Sequence, residues 1–447
     1  MITVRLKKGC KLNIAGKPAL ETEVLAKPSH VALVPERIPF IKPRLKVRVG
    51  DRVKIGSPVF EDKRNPEIKF LSPGGGEIDV INFGPRRVIR EIVIRVDKKE
   101  ESVRFKPLTD QELETTQRDD LVRAMTDGGI WPFIKSFPFR DITDPQGRAP
   151  GIFINLGDSE PFQPRPEVYL QGAAELFEFG VRILRKLVEK VYVARRPGDS
   201  SIINSLNHLI THTCHGDYPV DDPGVMLYHS KKSSEENGSW YIDGQDVLHL
   251  ARFFKTGLYP IERIMVLAGS QAHESKHFQT RAGVPLTELA QWHKYKTSGV
   301  RFVAGGLFRG YTGAKNSYMG FYENSLTLIT QGDNEEAFGF IRPGYGKPSS
   351  SKTFLSCFNT SELALNCGLH GELRACINCG YCAQVCPVDI LPQFTYKSVI
   401  ADEIEESLAH GLLDCAECGL CTYVCPSKIE LCARFKQAKA AYYKELV

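Results

Sequence analysis

Long hydrophobic runs are absent from this chain of 447 residues. No uninterrupted apolar stretch approaches the roughly 18 residues that a helix needs to cross a bilayer, so we expect no membrane-spanning segment. The first eight residues carry early charge without the apolar stretch that defines a signal peptide. The sequence therefore predicts a protein that is not exported and that remains in the cytoplasm.

A strong excess of charge of one sign is also absent. The 58 lysines and arginines nearly balance the 53 aspartates and glutamates, which leaves a net charge of +5. So mild a charge is typical of a solvated surface and argues against nucleic acid as a partner, whereas an anionic membrane surface stays open. Because 42% of the residues are apolar and 25% are charged, the chain has the balance of a folded protein.

Cysteine is scarce over most of the chain and dense at one end. Of 13 cysteines, nine lie between Cys376 and Cys432, and the others stand alone at positions 10, 214, 357 and 367. A secreted disulfide scaffold is usually short and rich in cysteine throughout. This distribution instead predicts a metal or redox module in a reducing compartment.

Two segments of the cysteine-rich end repeat one another in the pattern C-x2-C-x2-C-x3-C-P. Such spacing is typical of two-cluster ferredoxins, in which three cysteines of one motif and the fourth of the other bind each [4Fe–4S] cluster. We therefore predict one cluster on Cys376, Cys379, Cys382 and Cys425, and a second on Cys415, Cys418, Cys421 and Cys386. Zinc is the weaker alternative, because it needs only four ligands, usually as two separated pairs.

Two further predictions concern the surroundings of these motifs. Cys432 lies outside both quartets and is expected to be a packed free thiol. After residue 426, apolar residues recur at helical spacing with basic residues between them. The pattern predicts a helix that packs on the other domains, and a helix that lies on a membrane or a partner is the less favoured alternative.

The rest of the chain divides by its texture. Length alone predicts about three domains at roughly 150 residues each, and the patterns separate four units. Residues 1–105 have closely spaced strands and turns, as in a small barrel-sandwich hybrid. Residues 106–260 alternate strands and helices, which predicts a parallel sheet, and residues 261–340 indicate a compact α+β unit. Residues 341–447 form the helical ferredoxin-like unit.

One loop of the predicted parallel sheet is a candidate ligand site. Residues 151–155 read as a buried strand, and ligands of parallel sheets bind beyond the carboxyl ends of the strands. The candidates are Asn155, Asp158, Ser159 and Glu160. An ordinary surface loop is equally compatible with the pattern.

A small group of histidines invites a separate metal hypothesis. Helical spacing would bring His208 and His212 to one face, with Cys214 and His215 nearby. Ordinary loop and helix histidines are the favoured interpretation, because no catalytic base is evident.

Several short segments, in order along the chain, resemble the NqrA family, the A subunits of the sodium-translocating NADH:quinone reductases. They are Phe-Glu-Asp-Lys-Arg-Asn-Pro at 60–66, Gly-Ile-Trp-Pro-Phe at 129–133, Lys-Ser-Phe-Pro-Phe at 135–139, Gln-Asp-Val at 245–247, Lys-Thr-Gly at 255–257, Val-Leu-Ala-Gly at 266–269 and Val-Ala-Gly-Gly at 303–306. Wider relatives are the C subunit of Rnf-type reductases and the flavin- and NADH-binding subunit of respiratory complex I.

The resemblance implies a fold and an assembly. It implies a Rossmann-like domain of the complex I flavoprotein type and a β-grasp unit similar to the SLBB domain at about 265–335. It also implies a peripheral subunit on the inner face of the cell membrane. Its partners would be integral-membrane and flavin-bearing subunits of an Nqr- or Rnf-type complex, in which NADH and quinone are reached indirectly and sodium is moved.

Two departures from the resemblance matter. Sodium-pump A subunits have lost most of the cluster cysteines, whereas this chain keeps all eight, as Rnf-type C subunits do. A glycine-rich segment cradles the phosphate of FMN in the Rnf and complex I relatives, and here Ile130 and Trp131 stand in the matching stretch. Bulky residues there would obstruct the backbone approach to phosphate. The loop of Asn155 and Asp158–Glu160 would then be a vestige of a flavin or NADH site, and FMN is disfavoured.

The expected function is therefore a peripheral electron-transfer subunit of a sodium-translocating NADH:quinone oxidoreductase or Rnf-like complex, with two [4Fe–4S] clusters and no catalytic residue of its own. One alternative is an FMN-containing subunit that oxidises NADH or ferredoxin. Another is a soluble iron–sulfur adaptor of a cobalamin or folate reductase.

Overall fold

The computed structural model describes residues 1–157, 159–198, 200–291, 299–332, 341–348, 354–368 and 372–446. Its strands are β1 (Ile2–Arg5), β2 (Ala19–Val24), β3 (His30–Leu33), β4 (Pro43–Leu45), β5 (Arg52–Val53), β6 (Pro58–Asp62), β7 (Lys69–Leu71), β8 (Gly76–Phe83), β9 (Ile89–Val96), β10 (Lys135–Ser136), β11 (Asp141–Ile142), β12 (Ile152–Leu156), β13 (Val191–Arg195), β14 (His212–His215), β15 (Trp240–Asp243), β16 (Glu262–Ala268), β17 (Lys276–Arg281), β18 (Val300–Ala304), β19 (Tyr311–Gly313) and β20 (Ser325–Thr330).

Its helices are α1 (Asp110–Thr115), α2 (Arg118–Asp127), α3 (Pro166–Tyr169), α4 (Ala174–Leu187), α5 (Ser201–Ser205), α6 (Pro223–Ser230), α7 (Gly244–Thr256), α8 (Leu286–Leu289), α9 (Tyr381–Val385), α10 (Pro392–Ile400), α11 (Ile404–Ala409), α12 (Leu420–Tyr423) and α13 (Leu431–Leu446). Among the described residues, none of these helices is both long and apolar enough to cross a bilayer.

The first unit consists of two small antiparallel sheets. One has the strand order β3-β9-β8-β5 and the other β4-β6-β7. Their apolar residues alternate toward a shared interior, as period-two strands require. The rings of Phe60 and Phe70, both fully buried, stack there at a centroid distance of 4.5 Å.

The second unit is built on a seven-stranded sheet of order β1-β14-β13-β12-β15-β10-β11. The five strands from β1 to β15 run parallel, whereas β10 and β11 are antiparallel. Helix α4 packs with Phe177, Val181 and Leu184 buried at helical spacing. The sequence predicted one helix over 168–188, and the structure instead ends α3 at Tyr169 and starts α4 at Ala174. Gly172, with φ 68°, makes the turn between them.

The third unit is a six-stranded sheet of order β19-β18-β20-β16-β17-β2. Its core includes Met265, Phe278, Phe302 and Leu328. Residues 292–298 and 333–340 of the predicted 261–340 unit lie outside the described residues. The first 24 residues connect the units, because β1 joins the second sheet beside β14 and β2 joins the third beside β17.

The C-terminal unit is helical. The predicted helix between the two cysteine motifs is divided into α10 and α11, with Asp402 at φ 59° in the turn. Helix α13 buries Phe435 and reaches the other units, since the ring of Tyr443 lies 4.4 Å from that of Phe40. Its hydroxyl donates to Asp141 at 2.7 Å. These contacts favour the packing interpretation of α13 over a helix lying on a membrane.

Candidate iron–sulfur site

The cysteines of the first predicted set lie around one cavity. Cys376, Cys379 and Cys382 line it together with Cys425, which comes from the second motif. The remaining lining is mostly apolar and includes Ile377, Gly380, Gln393, Pro426, Ser427, Ile429 and Leu431. The fourth cysteine of one motif therefore meets the first three of the other.

The second predicted set is more deeply buried. Cys386, Cys418 and Cys421 are each less than a tenth exposed. Burial raises the pKa of the Cys421 thiol well above its ordinary value, and the nearby thiolates of Cys432, Cys415, Cys418 and Cys386 would raise it further. These sulfur atoms consequently share one neighbourhood. Cys432 lies there as a fifth thiol, which its position outside the quartet did not predict.

The backbone repeats with the sequence. Asn378 and Glu417, at matching positions of the two loops, have φ of 55° and 54°. Gly380 and Gly419 follow with φ of 77° and 79°, and α9 and α12 begin directly after them. The left-handed conformation bends each loop back on itself. Each motif thereby turns its first three cysteines to the same side before the helix starts.

The donor set fits a four-iron cluster at each place. Within the described ranges, no three His, Cys, Asp or Glu side chains are arranged as ligands of a single metal ion. A cubane binds each thiolate through a different iron, so its four sulfur ligands stand farther apart than those of one zinc ion. Four cysteines around an apolar cavity meet that requirement.

The thiols must lose protons when they bind iron. Burial raises the pKa of Cys382 to about 11 and that of Cys415 to about 12. Without metal these side chains are therefore neutral at physiological pH, and iron binding displaces their protons.

The surroundings of the two sets differ. Cys379 of the first set is exposed to solvent. Around the second set, three buried donors reach carbonyl oxygens of the cysteine loop. Lys439 Nζ donates to Cys415 O at 2.7 Å, Arg140 Nη2 to Ala416 O at 3.0 Å and the Tyr218 hydroxyl to Cys418 O at 2.8 Å.

Buried ion pairs hold these donors in place. Lys439 Nζ lies 3.1 Å from Glu417 Oε1, and Asp222 lies 2.8 Å from Arg140 and 2.7 Å from Arg309. Burial alone would raise the pKa of the Asp222 carboxyl, but Arg140 and Arg309 outweigh it and lower that pKa. Asp222 is therefore an anion shared by two arginines.

The candidate ligand loop lies beside this network. Asn155, Ser159 and Glu160 line a polar cavity of about 170 Å³ at the carboxyl ends of β12 and β15, where Asp243 and Tyr218 also face it. Asp158, the fourth predicted residue, lies outside the described residues. The structure therefore brings three of the four together.

The electrostatics of this cavity are unusual. Burial raises the pKa of both Glu160 and Asp243, although Arg309 acts against the shift at Glu160. Ser159 donates from its backbone N–H to Asp221 Oδ2 at 2.7 Å. Tyr218 borders the cavity and also contacts the second cysteine loop, so a single side chain separates the two places.

The segment expected to have lost its phosphate role is filled. Ile130 and Trp131 are both fully buried, and Trp131 Nε1 donates to Thr143 O at 2.8 Å. A Cβ on Gly128 would come within 2.1 Å of the Phe253 ring. These residues do not fit an FMN phosphate at residues 128–133, because no open backbone cradle exists there.

The histidine group does not follow the predicted helical spacing. His212, Cys214 and His215 lie on strand β14, so His208 and His212 share no helix face. His208 instead lies 3.3 Å from Glu178, and His212 packs against Phe153 and Tyr192.

Sequence reasoning missed Arg140, Tyr218, Arg309 and Lys439. Each stands alone in its own segment without a motif around it, and only the fold brings them to one cysteine loop. Asp222, which joins two of them, begins α6 by accepting from Gly224 N and Val225 N. An aspartate before a proline-started helix reads as an ordinary cap.

Known proteins resemble the chain over most of its length. The family described as NqrA N-terminal barrel-sandwich hybrid domain matches residues 4–97, NqrA second alpha/beta domain matches 116–259, and 4Fe-4S dicluster domain matches 375–429. These matches confirm the predicted barrel-sandwich unit, the α/β unit that follows it, and the ferredoxin-like tail.

Curated relatives named as the A subunit of Na(+)-translocating NADH-quinone reductase cover almost all of it. That of Yersinia pestis bv. Antiqua (strain Angola) is 31% identical over 414 residues, and that of Neisseria meningitidis serogroup B is 31% identical over 416, with 92% of each chain covered in both cases. Among solved structures, an NAD+-reducing [NiFe]-hydrogenase in the H2-reduced state is similar over 77% of this chain and 68% of its own, at 9% identity and a TM-score of 0.39.

Proposed function

The chain belongs to the NqrA family, the A subunits of the Na(+)-translocating NADH-quinone reductases, and from that premise we propose that it is an electron-transfer subunit of such an oxidoreductase complex. It carries two [4Fe–4S] clusters near its C-terminus. One observation supports this most directly. Cys425 of the second motif lines the same cavity as Cys376, Cys379 and Cys382 of the first.

Each cluster has its own four ligands in this proposal. The first is held by Cys376, Cys379, Cys382 and Cys425, and the second by Cys415, Cys418, Cys421 and Cys386. A bound cluster of this type accepts and releases single electrons. The exchange of the fourth cysteine between motifs sets the two sites next to each other, as a continuous path for electrons requires.

The chain's own residues define two ends of that path. The first site reaches the surface at Cys379, which is exposed. The second site is enclosed, and Tyr218 separates it from the polar cavity of Asn155, Ser159 and Glu160. Electrons therefore pass between a partner at the surface and a donor or acceptor on the cavity side.

The assembly follows from the family. We place the chain on the inner face of the cell membrane, in contact with integral-membrane and flavin-bearing subunits, so that NADH and quinone are reached through those partners. We also retain the division into units 1–105, 106–260, 261–340 and 341–447. Within it, the second is Rossmann-like in the manner of the complex I flavoprotein subunit, and the third is a β-grasp unit similar to SLBB domains.

A second candidate function is direct oxidation of NADH with FMN in the chain. The cavity supports it, because Asn155, Ser159 and Glu160 line a space beyond the carboxyl ends of parallel strands. The filled segment at 128–133 argues against it. Stoichiometric FMN in purified protein, bleached by NADH, would establish this alternative.

The primary test is the metal content of anaerobically purified protein. We expect about eight irons per chain, four for each of two cubanes, and paramagnetic signals after reduction with dithionite. Protein that retains zinc, or that gives no such signal after reconstitution with iron and sulfide, would contradict the proposal.

A further inference from the structure

The two cysteine loops repeat in backbone but not in their electrostatic surroundings. In the second loop, cationic side chains donate to the carbonyl oxygens of Cys415 and Ala416. In the first loop, no described side chain donates to the carbonyl oxygens of residues 376–379. The nearest such bond is from Ser427 Oγ, a neutral donor, to Ala375 O at 2.9 Å.

Lys439 is the most enclosed of these cations. It is 2% exposed, although lysine is rarely buried without a specific reason. It comes from the middle of α13, and its ammonium group donates to Cys415 O at 2.7 Å, to Glu417 at 3.1 Å and to Pro138 O at 3.3 Å. All three of its donor positions are thus directed at the second loop and the segment that faces it.

The charge of this group is balanced from one side only. Burial would raise the pKa of the Glu417 carboxyl, but Lys439 and Arg140 outweigh burial and lower that pKa. Glu417 is therefore an anion that offsets one cation. Arg140 and Arg309 share the single anion Asp222, so the surroundings of the second loop retain an excess of positive charge.

Reduction of a cluster adds one electron and hence one unit of negative charge. Buried positive charge and donors to the ligand loop stabilise that state, because the low dielectric of the interior strengthens the attraction. We infer that Lys439 sets the reduction potential of the second cluster above that of the first, so that a single electron resides on the second cluster. This inference rests on the proposed function, since it requires both clusters to be present.

The test compares two substitutions of opposite sign. Lys439→Met removes the cation, and we expect the midpoint potential of the second cluster to fall. Glu417→Gln removes the anion and leaves Lys439, so that potential should rise. We expect each shift to change the reduced-to-oxidised ratio about tenfold at a fixed solution potential, which is about 59 mV for a one-electron couple.

The measurement is a redox titration followed by paramagnetic resonance at pH 8.5, with iron content determined on each sample. The signal of the second cluster is identified by its loss in Cys421→Ser. Lys444→Met is the matched control, because Lys444 is an exposed lysine on the same helix. It should leave both potentials unchanged, as should the first cluster in every variant.

The outcomes separate the two levels of the proposal. Wild-type protein without two clusters would refute the proposed function itself. Wild-type protein with two clusters, but with Lys439→Met and Glu417→Gln shifting the second potential in the same direction or not at all, would refute the role of Lys439 alone. If Lys439→Met does not retain iron, the sign of the Glu417→Gln shift decides the question.

Discussion

Cys421 and Cys432 illustrate how little a residue's type says about its role. Both are buried thiols in the same neighbourhood, and burial raises the pKa of each. Cys421 lies in α12, directly after the left-handed turn of the second motif, whereas Cys432 is the second residue of α13. The spacing of the motif assigns Cys421 as a ligand and leaves Cys432 as a packing residue.

Substitution of these two cysteines provides a test at the residue scale. We expect Cys421→Ser to lose the second cluster and about half of the iron, because serine is a poor ligand for this type of cluster. Cys432→Ser should retain about eight irons, four for each cubane. Iron and sulfide analysis with paramagnetic resonance makes the measurement, and the reverse pattern would show Cys432 to be the ligand.

Elements of the ferredoxin-like unit repeat in backbone while their contacts differ. Gly380 and Gly419 occupy matching positions with positive φ. A Cβ on Gly419 would come within 2.9 Å of Phe308 O, whereas one on Gly380 would meet nothing within 4 Å. The second loop is thus pressed against the segment of Phe308 and the first is open.

The repeat supplies its own control at the element scale. Gly419→Ala and Gly380→Ala both place alanine in a left-handed conformation, at a cost of about 1–2 kcal/mol. Only Gly419→Ala adds a collision with backbone, so we expect it to lower the melting temperature more and to reduce occupancy of the second cluster. Equal effects of the two substitutions would contradict the close approach of Phe308.

Strand β17 supplies a prediction of pH dependence. His277 is fully buried, donates from Nδ1 to Ala19 O at 2.7 Å and accepts at Nε2 from Arg165 N–H at 3.0 Å. Burial lowers its pKa below the ordinary 6.5, with Arg165 acting in the same direction. The native state therefore holds His277 neutral while the unfolded chain takes up a proton below that pH.

The sign follows from the lowered pKa. The contribution of His277 to stability is complete above about pH 6.5 and is lost as pH falls toward its folded pKa, by up to about 1.4 kcal/mol per unit. We expect His277→Gln to make the free energy of unfolding fall less steeply from about pH 6.5 to about pH 5. Exposed His208→Gln serves as control, and parallel curves for His277→Gln and wild type would contradict the prediction.

Contacts between units are concentrated on a few buried ion pairs at the scale of the whole molecule. Arg64 of the first unit contacts Asp62 at 2.7 Å and Asp141 of the second at 2.6 Å, and its side chain is 15% exposed. Asp141 also accepts from Tyr443 of α13. One carboxylate therefore connects three units of the chain.

Removal of Arg64 should loosen that arrangement. Arg64→Ala leaves Asp62 and Asp141 buried without their cation, which typically costs about 3–5 kcal/mol. We expect a lower melting temperature and faster proteolysis between units, measured against Arg86→Ala, a substitution on the exposed turn after β8. Equal resistance of the two variants to protease would show that the pair does not hold the units together.

Several features could be predicted from the sequence because they depend on local spacing. The eight cysteines, the strand at β12 and the helix at α13 all follow from periodicity or motif within a few residues. The breaks at Gly172 and Asp402 could not be, since a single turn residue within an apolar periodic pattern carries little weight against it. Nor could the joining of β1 and β2 to distant sheets, because their pairing partners lie far away in sequence.

The chemistry of the tail is already set at the level of the sequence, because cluster ligands must be thiolates at spacings that a short loop can supply. Which cysteine loop is enclosed and which is open depends instead on how the units pack. Lys439, Arg140 and Tyr218 reach the second cysteine loop only after α13, β10–β11 and the segment after β14 have come together. Electrostatic surroundings depend on distances across the fold, and those distances are not encoded in any local pattern of residues.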